Sequence, residues 1–455
     1  MDLVLKSGTV VTATDIYRAD IGIHNGFVAL IGRDLHGDCI LDADGRYVFP
    51  GAIDPHTHLE LDFMDTVSAD DFYTGTVAAA CGGTTTIIDY AEQSQGGTLR
   101  DALQAWRDKA ENKAVVDYGF HVSITDATEE VLAEMQEMVT QGVSSFKCYL
   151  AYPERLTDNE LLQLLLRSRQ IGAVVNVHCE NGSLVDFMTD RLLQEGKTEP
   201  RWHPRSRPAS FEKEATQRAV TLAEIAEAPL YVVHLTCAEA LKAAKRARAS
   251  GRPILVETCP QYLLLDVERY DEPDFGGAKY VVSPPLRERW NQQVLWNGLV
   301  GGDIDVIGTD HCPFNLVGQK DIGRDDFTKI PNGMPGVETR VPLLYHEGVN
   351  RGRISLNRFV ELVATNPARI FGLLPQKGTI AVGSDADLVV WDPDKEMTLS
   401  VENLHMNVDY SPYEDVTVRG YPEIVLSRGK VIVRDNHFQG QAGSGRFLRR
   451  KPFVA

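Results

Sequence analysis

Two hydrophobic rhythms divide the chain. From Met1 to about Pro50, short apolar runs (LVLKSGTVVT, ADIGIHNGFVALIG and CILDADGRYVFPG) are broken by turn residues, with His24-Asn25-Gly26 and Asp42-Ala43-Asp44-Gly45 as hairpin signals. From Gly51 onward, apolar strands alternate with helical stretches. Eight strand-like segments stand out: AIDPHTH, GTTTIIDY, DYGFHVSI, VSSFKCYL, AVVNVHCE, LYVVHLTC, ILVETCPQ and IDVIGTDH. Successive βα units of this number predict an α/β fold, a (β/α)8 TIM barrel. Beyond it, KGTIAVGSDADLVVWDP and IVLSRGKVIV return to short strands. Chain ends commonly lie together, so these strands are expected to pair with the N-terminal ones. The expected organisation is a small β-sandwich formed by the N- and C-terminal segments, residues 1–50 and 376–440, around a barrel of residues 51–375. Residues 441–455 form a Gly-rich, then basic tail with Phe447, Leu448 and Phe453, read either as a loosely ordered terminus or as an arm on a neighbouring subunit.

Composition narrows the function. The 455 residues are 43% hydrophobic and 24% charged, ordinary for a globular chain of one large domain and one smaller. A formal net charge of -18 argues against nucleic acid as a partner, because phosphate binding calls for clustered Lys and Arg. The 7 cysteines are odd in number and sit mostly inside apolar strand-like runs, which suits a reducing compartment. No stretch reads as a leader peptide, and no run approaches the roughly 18 apolar residues that span a bilayer. A cytoplasmic protein without a membrane partner is expected.

The strand ends carry the chemistry. His56 and His58 close the first barrel strand as D-P-H-T-H, and period-two alternation puts both imidazoles on one side of it, where one metal can take both. His178 ends the fifth strand, His234 the sixth, and Asp310 with His311 the eighth. Any one of these histidines could be a core residue, but a TIM barrel builds its active site at this rim, and the set together points to metal ligation. Lys147 ends the fourth strand in SSFKCYLAY. An ammonium beside metal cations is repelled, so Lys147 is either elsewhere, deprotonated or modified; a carbamate made from CO2 turns the positive charge into a negative one.

These residues stand in text that closely resembles the hydantoinase and dihydropyrimidinase branch of the amidohydrolase superfamily, over essentially the whole chain. The matching segments are FPGAIDPHTH, AACGGTTTIIDY, SSFKCYLAY, VHCENG, SRPASFEKEAT, YVVHLTC, ETCPQYLLLD, SPPLR, GTDHCPF, FTKIPNGMPGVE, NPARIFGL and GSDADLVVWDP. The resemblance implies that His56, His58 and Asp310 hold one metal ion, His178 and His234 a second, and carbamylated Lys147 bridges them, with zinc the usual ion. It implies that Tyr152 donates to the developing oxyanion, and that Ser283 and Asn332 hold the ring amide groups, partly through backbone atoms. It also implies a homo-oligomer, dimer or tetramer. Cys179 stands where similar sequences often carry Ala, and period two turns it away from His178.

The implied reaction is hydrolytic ring opening of cyclic ureides, 5-substituted hydantoins and dihydropyrimidines, to N-carbamoyl amino acids by a dimetal-bridging hydroxide, with Asp310 carrying the proton. Within this chemistry an allantoinase differs only in side-chain recognition. A dihydroorotase is disfavoured, because its HxHxR pattern grips a carboxylate and this chain continues Leu59-Glu60, a repelling charge. The collapsin-response mediator proteins share the fold as interaction proteins without the ligands, all of which are filled here. Substrate choice is expected from rim loops at residues 59–70, 91–98 and 149–158, where Leu61, Phe63, Tyr149 and Leu156 favour an apolar or aromatic exocyclic group.

Overall fold

A computed structural model of the chain describes residues 1–454. The N-terminal strands are β1 (Leu3–Val11), β2 (Ile16–His24), β3 (Phe27–Gly32), β4 (Cys39–Asp42) and β5 (Tyr47–Pro50). Asn25 and Gly26 join β2 to β3 with φ of 53° and 83°, the left-handed pair that a tight two-residue hairpin requires. The barrel begins with β6 (Ala52–Thr57) and passes a rim hairpin of β7 (Asp62–Phe63) and β8 (Thr66–Val67). It continues through β9 (Thr84–Glu92), β10 (Asp117–Ser123), β11 (Ser145–Tyr149), β12 (Val174–His178), β13 (Leu230–Val232), β14 (Ile254–Thr258) and β15 (Val306–Ile307). The C-terminal strands are β16 (Leu388–Leu399), β17 (Val416–Ser427), β18 (Lys430–Arg434) and β19 (His437–Phe438).

Each of the eight expected barrel segments contains one strand of an all-parallel sheet ordered β15-β14-β13-β12-β11-β10-β9-β6. Helices cover its outer face, so the strands are buried on both sides and read as near-continuous apolar runs. The helix Asp158–Ile171 illustrates how the outer layer forms. Thr157 and Glu160 make a reciprocal capping box at its start, Gly172 ends it in the left-handed region, and Leu161, Leu164, Leu165, Ser168 and Ile171 place a buried stripe against the sheet. Between β6 and β15 the ring is closed by one residue: the His58 amide donates to the His311 carbonyl at 2.9 Å, and the His311 amide donates to the His56 carbonyl at 3.4 Å.

The two chain ends meet in a single nine-stranded sheet, in which β5 pairs antiparallel with β16 and Val48 lies opposite Val390. Leu5, Ile21, Val48, Leu388, Val390 and Leu426 share one buried core, so the sheet curls over its own apolar face. It is fastened to the barrel by Lys377, a buried lysine whose Nζ lies 2.6, 2.8 and 2.5 Å from Asp117, Asp385 and Asp387. Asp117 opens β10, which puts this cluster at the N-terminal end of the barrel, opposite the rim. The C-terminal segment lies across that same end and is tied to its own barrel. Gly445, Leu448, Arg450 and Phe453 donate backbone bonds to Ala114, Tyr118, Gly142 and Gly172 at 2.7 to 2.9 Å.

Candidate active site

At the strand C-termini the first cluster forms around Asp310. His56 and His58 present Nε2 to one carboxylate oxygen of Asp310 at 3.1 and 3.3 Å. The other ring nitrogen of His56 faces the buried Glu257 carboxylate at 2.6 Å, which fixes the tautomer with the proton on Nδ1. A lone pair on His56 Nε2 therefore looks at an acceptor, and this buried atom has no hydrogen-bond partner. Burial works against a charged His56, yet Glu257 and Asp310 push its pKa up to about 9: the surroundings call for a positive charge at this point. Asp310 mirrors this, since burial would raise its pKa but His56, His58 and His234 hold it well below the usual carboxylate range. A divalent cation satisfies all three observations, so the residues fit the group that the donor set suggests.

The second cluster is adjacent. His178 Nδ1 and His234 Nε2 converge to 2.9 Å, and the His178 Nε2 side faces Glu180 at 2.9 Å, leaving Nδ1 free to act as a ligand. Arg207 pairs with Glu180 at 2.7 Å, its guanidinium carbon 5.4 Å from the centre of the Tyr152 ring. The His56 and His234 ring centres are 5.4 Å apart, so the clusters share one floor. Lys147 is buried on that floor, with Nζ 4.6 Å from the centre of the Tyr90 ring. It makes no ion pair among the described residues, and burial pushes its pKa down. Tyr90 stacks between His58 and His121, ring centres 5.0 and 4.6 Å away, and supports the site from beneath.

Three of these residues sit in strained backbone. His234, Asp310 and Tyr152 have φ of 37°, 55° and 71°, values that side chains with a Cβ rarely adopt and that concentrate at functional positions. Above the floor opens a cavity of about 380 Å³. Of the residues expected from sequence, His58, Lys147, His178, His234 and Asp310 line it, as do Tyr149, Tyr152, Ser283, Asn332, Leu61 and Phe63. His56 lies fully buried beneath. Burial pushes the Tyr152 phenol up to about 12, so it stays protonated and able to donate at neutral pH.

Two expectations are corrected. Leu156 does not line the cavity: its amide bonds back to the Tyr149 carbonyl at 2.9 Å, and the turn so formed drives its side chain into the hydrophobic core. Glu60 does not face a substrate either. Its backbone is left-handed, φ 50°, and its carboxylate pairs with Lys113 at 2.6 Å, so Asp62 is the acidic residue that this loop presents to the cavity. Cys179 turns away as period two requires, donating weakly to the Val177 carbonyl at 3.6 Å.

Sequence reasoning missed several contributors. Glu92 and Gln93 line the cavity wall, and Glu92 accepts a bond from the Tyr149 hydroxyl at 2.8 Å. Glu257 and Glu180 support His56 and His178 from behind, and Arg207 pairs with Glu180. The signal for Glu257 was present as a lone acid inside the apolar run ILVETCPQ, and for Glu180 as the position two beyond His178 on the same side of the chain.

Comparisons with known proteins agree with this geometry. The sequence pattern of the amidohydrolase family matches residues 47–432. The D-hydantoinase of Geobacillus stearothermophilus is 50% identical over 460 residues, covering 100% of this chain and 98% of that one. A D-phenylhydantoinase of Escherichia coli is 48% identical over 459 residues, covering 100% and 99%. The crystal structure of the dihydropyrimidinase from Brevibacillus agri superposes with a TM-score of 0.99 at 50% identity, covering 100% of both chains.

Proposed function

Because the chain belongs to the amidohydrolase family and is a hydrolase that opens cyclic ureides, we propose that it acts on 5-substituted hydantoins and dihydropyrimidines, with His56, His58 and Asp310 holding one divalent ion and His178 and His234 a second. The carrying observation is the inward-facing lone pair of His56, which finds no partner among the described residues and looks at Asp310. Zinc suits the imidazole and carboxylate donors, and a carbamate on Lys147 would bridge two such ions; Lys147 is buried without an ion pair among the described residues, which supports the modified form. When bound, such ions lower the pKa of a water toward about 7 and polarise the ring carbonyl.

The chain's own residues supply the rest. Ser283 and Asn332 hold the ring amide at one wall. Tyr152, a protonated donor on the cavity wall, points a hydrogen bond at the carbonyl oxygen as it gains charge. Asp310 accepts the proton released when water adds to the carbonyl carbon, and delivers it to the ring nitrogen as the C–N bond breaks. The product is an N-carbamoyl amino acid. Leu61, Phe63 and Tyr149 flank the exocyclic group and favour an apolar or aromatic one.

Among the described residues no helix is long and apolar enough to cross a membrane; the unpaired cysteines support a reducing compartment, the cytoplasm. The exposed Leu184 and Phe187 on the helix Gly182–Gln194 support association into a dimer or tetramer. The deciding experiment pairs metal analysis with rates on dihydrouracil, hydantoin, a 5-aryl hydantoin and allantoin. Two ions per chain and the fastest turnover on the 5-aryl hydantoin are expected. A metal-free protein inert on all four, or one that prefers allantoin, overturns the reading.

A further inference from the structure

Lys320 is one of the few fully buried lysines, and nothing in the metal chemistry uses it. It follows Asp310 along the same rim segment, held by a bond from its amide to the Asn315 carbonyl at 2.9 Å. Its Nζ donates to the Val281 carbonyl at 3.1 Å and to the Pro331 carbonyl at 3.0 Å. Val281 stands two residues before Ser283, and Pro331 immediately precedes Asn332. One ammonium thus spans the two chain segments that carry the ring-holding residues.

The surrounding bonds show what this arrangement leaves free. The Val281 carbonyl also accepts from the Gly333 amide at 3.0 Å, the Val282 carbonyl contacts His203 Nε2 at 2.8 Å, and the Pro284 carbonyl accepts from the Tyr262 hydroxyl at 2.8 Å. Of the four consecutive carbonyls from 281 to 284, only that of Ser283 has no partner among the described residues, and Ser283 lines the cavity. No carboxylate pairs with Lys320 among the described residues, and burial drives its pKa down to about 7, a cost that an apolar side chain would avoid. An apolar residue there would leave the Pro331 carbonyl unpaired and the Val281 carbonyl with the Gly333 amide alone.

We propose that Lys320 is a positioning residue, whose two hydrogen bonds fix the separation of Ser283 and Asn332 and so set the width of the ring-binding wall. This rests on the reading of Ser283 and Asn332 as ring contacts. Lys320 touches neither substrate nor metal ligand, so its loss acts on binding before it acts on chemistry.

The test compares Lys320→Met and Lys320→Gln with the unaltered enzyme, full length and metal-loaded, on dihydrouracil, a ring with no exocyclic group to bind elsewhere. Metal content and thermal unfolding are measured in parallel. Lys320→Met should raise KM about tenfold or more, the effect of a lost substrate hydrogen bond, with a smaller fall in kcat and unchanged metal content. Lys320→Gln, whose amide still offers two N–H groups, should recover part of that loss. If Lys320→Met does not fold, a raised KM in Lys320→Gln carries the proposal and an unchanged one overturns it. An unchanged KM in Lys320→Met, or a fall in kcat, metal content and unfolding temperature without a KM effect, also overturns it. An unaltered enzyme that opens no cyclic ureide overturns the proposed function and this proposal with it, whereas normal turnover with an unmoved KM overturns this proposal alone.

Discussion

Glu257 faces His56 Nδ1 at 2.6 Å with both side chains completely buried, and the same carboxylate accepts the His234 amide at 3.0 Å. One acid therefore holds a histidine from each of the two proposed metal clusters. Glu257→Gln should weaken metal affinity by about 10- to 100-fold, the usual consequence of losing a partner behind a metal-bound imidazole. A chelator competition read by metal analysis measures it, and an affinity equal to the unaltered protein's would show that Glu257 does not orient the ligands.

Lys147→Ala should lose metal and activity together, since the proposed carbamate is the anion that would lie between the two clusters. Short carboxylic acids added with metal should restore part of the activity by occupying the vacated space. A metal-loaded and fully active Lys147→Ala protein would remove the carbamate from the site.

Asp310→Asn should lower kcat far more than it raises KM, because a carboxamide can occupy the coordination position but cannot carry the proton. Tyr152→Phe should cost roughly two to three orders of magnitude in kcat, as for other single oxyanion donors. Steady-state kinetics on one hydantoin decide both, and effects confined to KM would assign these residues to binding.

The correction at Leu156 separates two side chains that the sequence grouped together. Phe63→Ala should shift the kcat/KM ratio for a 5-aryl hydantoin against dihydrouracil by about 10- to 200-fold, the range for small apolar pocket changes. Leu156→Ala should leave that ratio alone and destabilise the fold by about 2–5 kcal/mol, the cost of a cavity in a core. Denaturant unfolding and competition kinetics test the pair, and the opposite assignment of effects would refute the rim geometry.

The barrel strands were legible because burial on both faces writes them as apolar runs, and because each histidine that lines the rim cavity or lies beneath it falls where such a run ends. Asp310 could be placed as the acid that follows the last of them. The rim loops were not legible in the same way. Period-two reasoning requires extended backbone, whereas Glu60 and Tyr152 adopt left-handed conformations that redirect the chain. Leu156 was misplaced because the bond that buries it, to Tyr149, belongs to a turn that no alternation encodes. Nothing in GQKDIG marks Lys320 as buried, and only the approach of two distant carbonyls reveals why it is.

The pairing of Val48 with Val390 has a consequence for synthesis. On the ribosome the first five strands emerge long before β16 exists, so the edge of β5 stays open while the whole barrel is being made. Closing so long a loop is slow, and an unpaired edge is a template for other chains in the meantime. The C-terminal segment across the base of the barrel arrives later still, which makes completion of both units contingent on residues translated after the whole barrel. Emergence of β16 and of that segment, rather than of the barrel's rim histidines, is the event that lets this chain close its sheet.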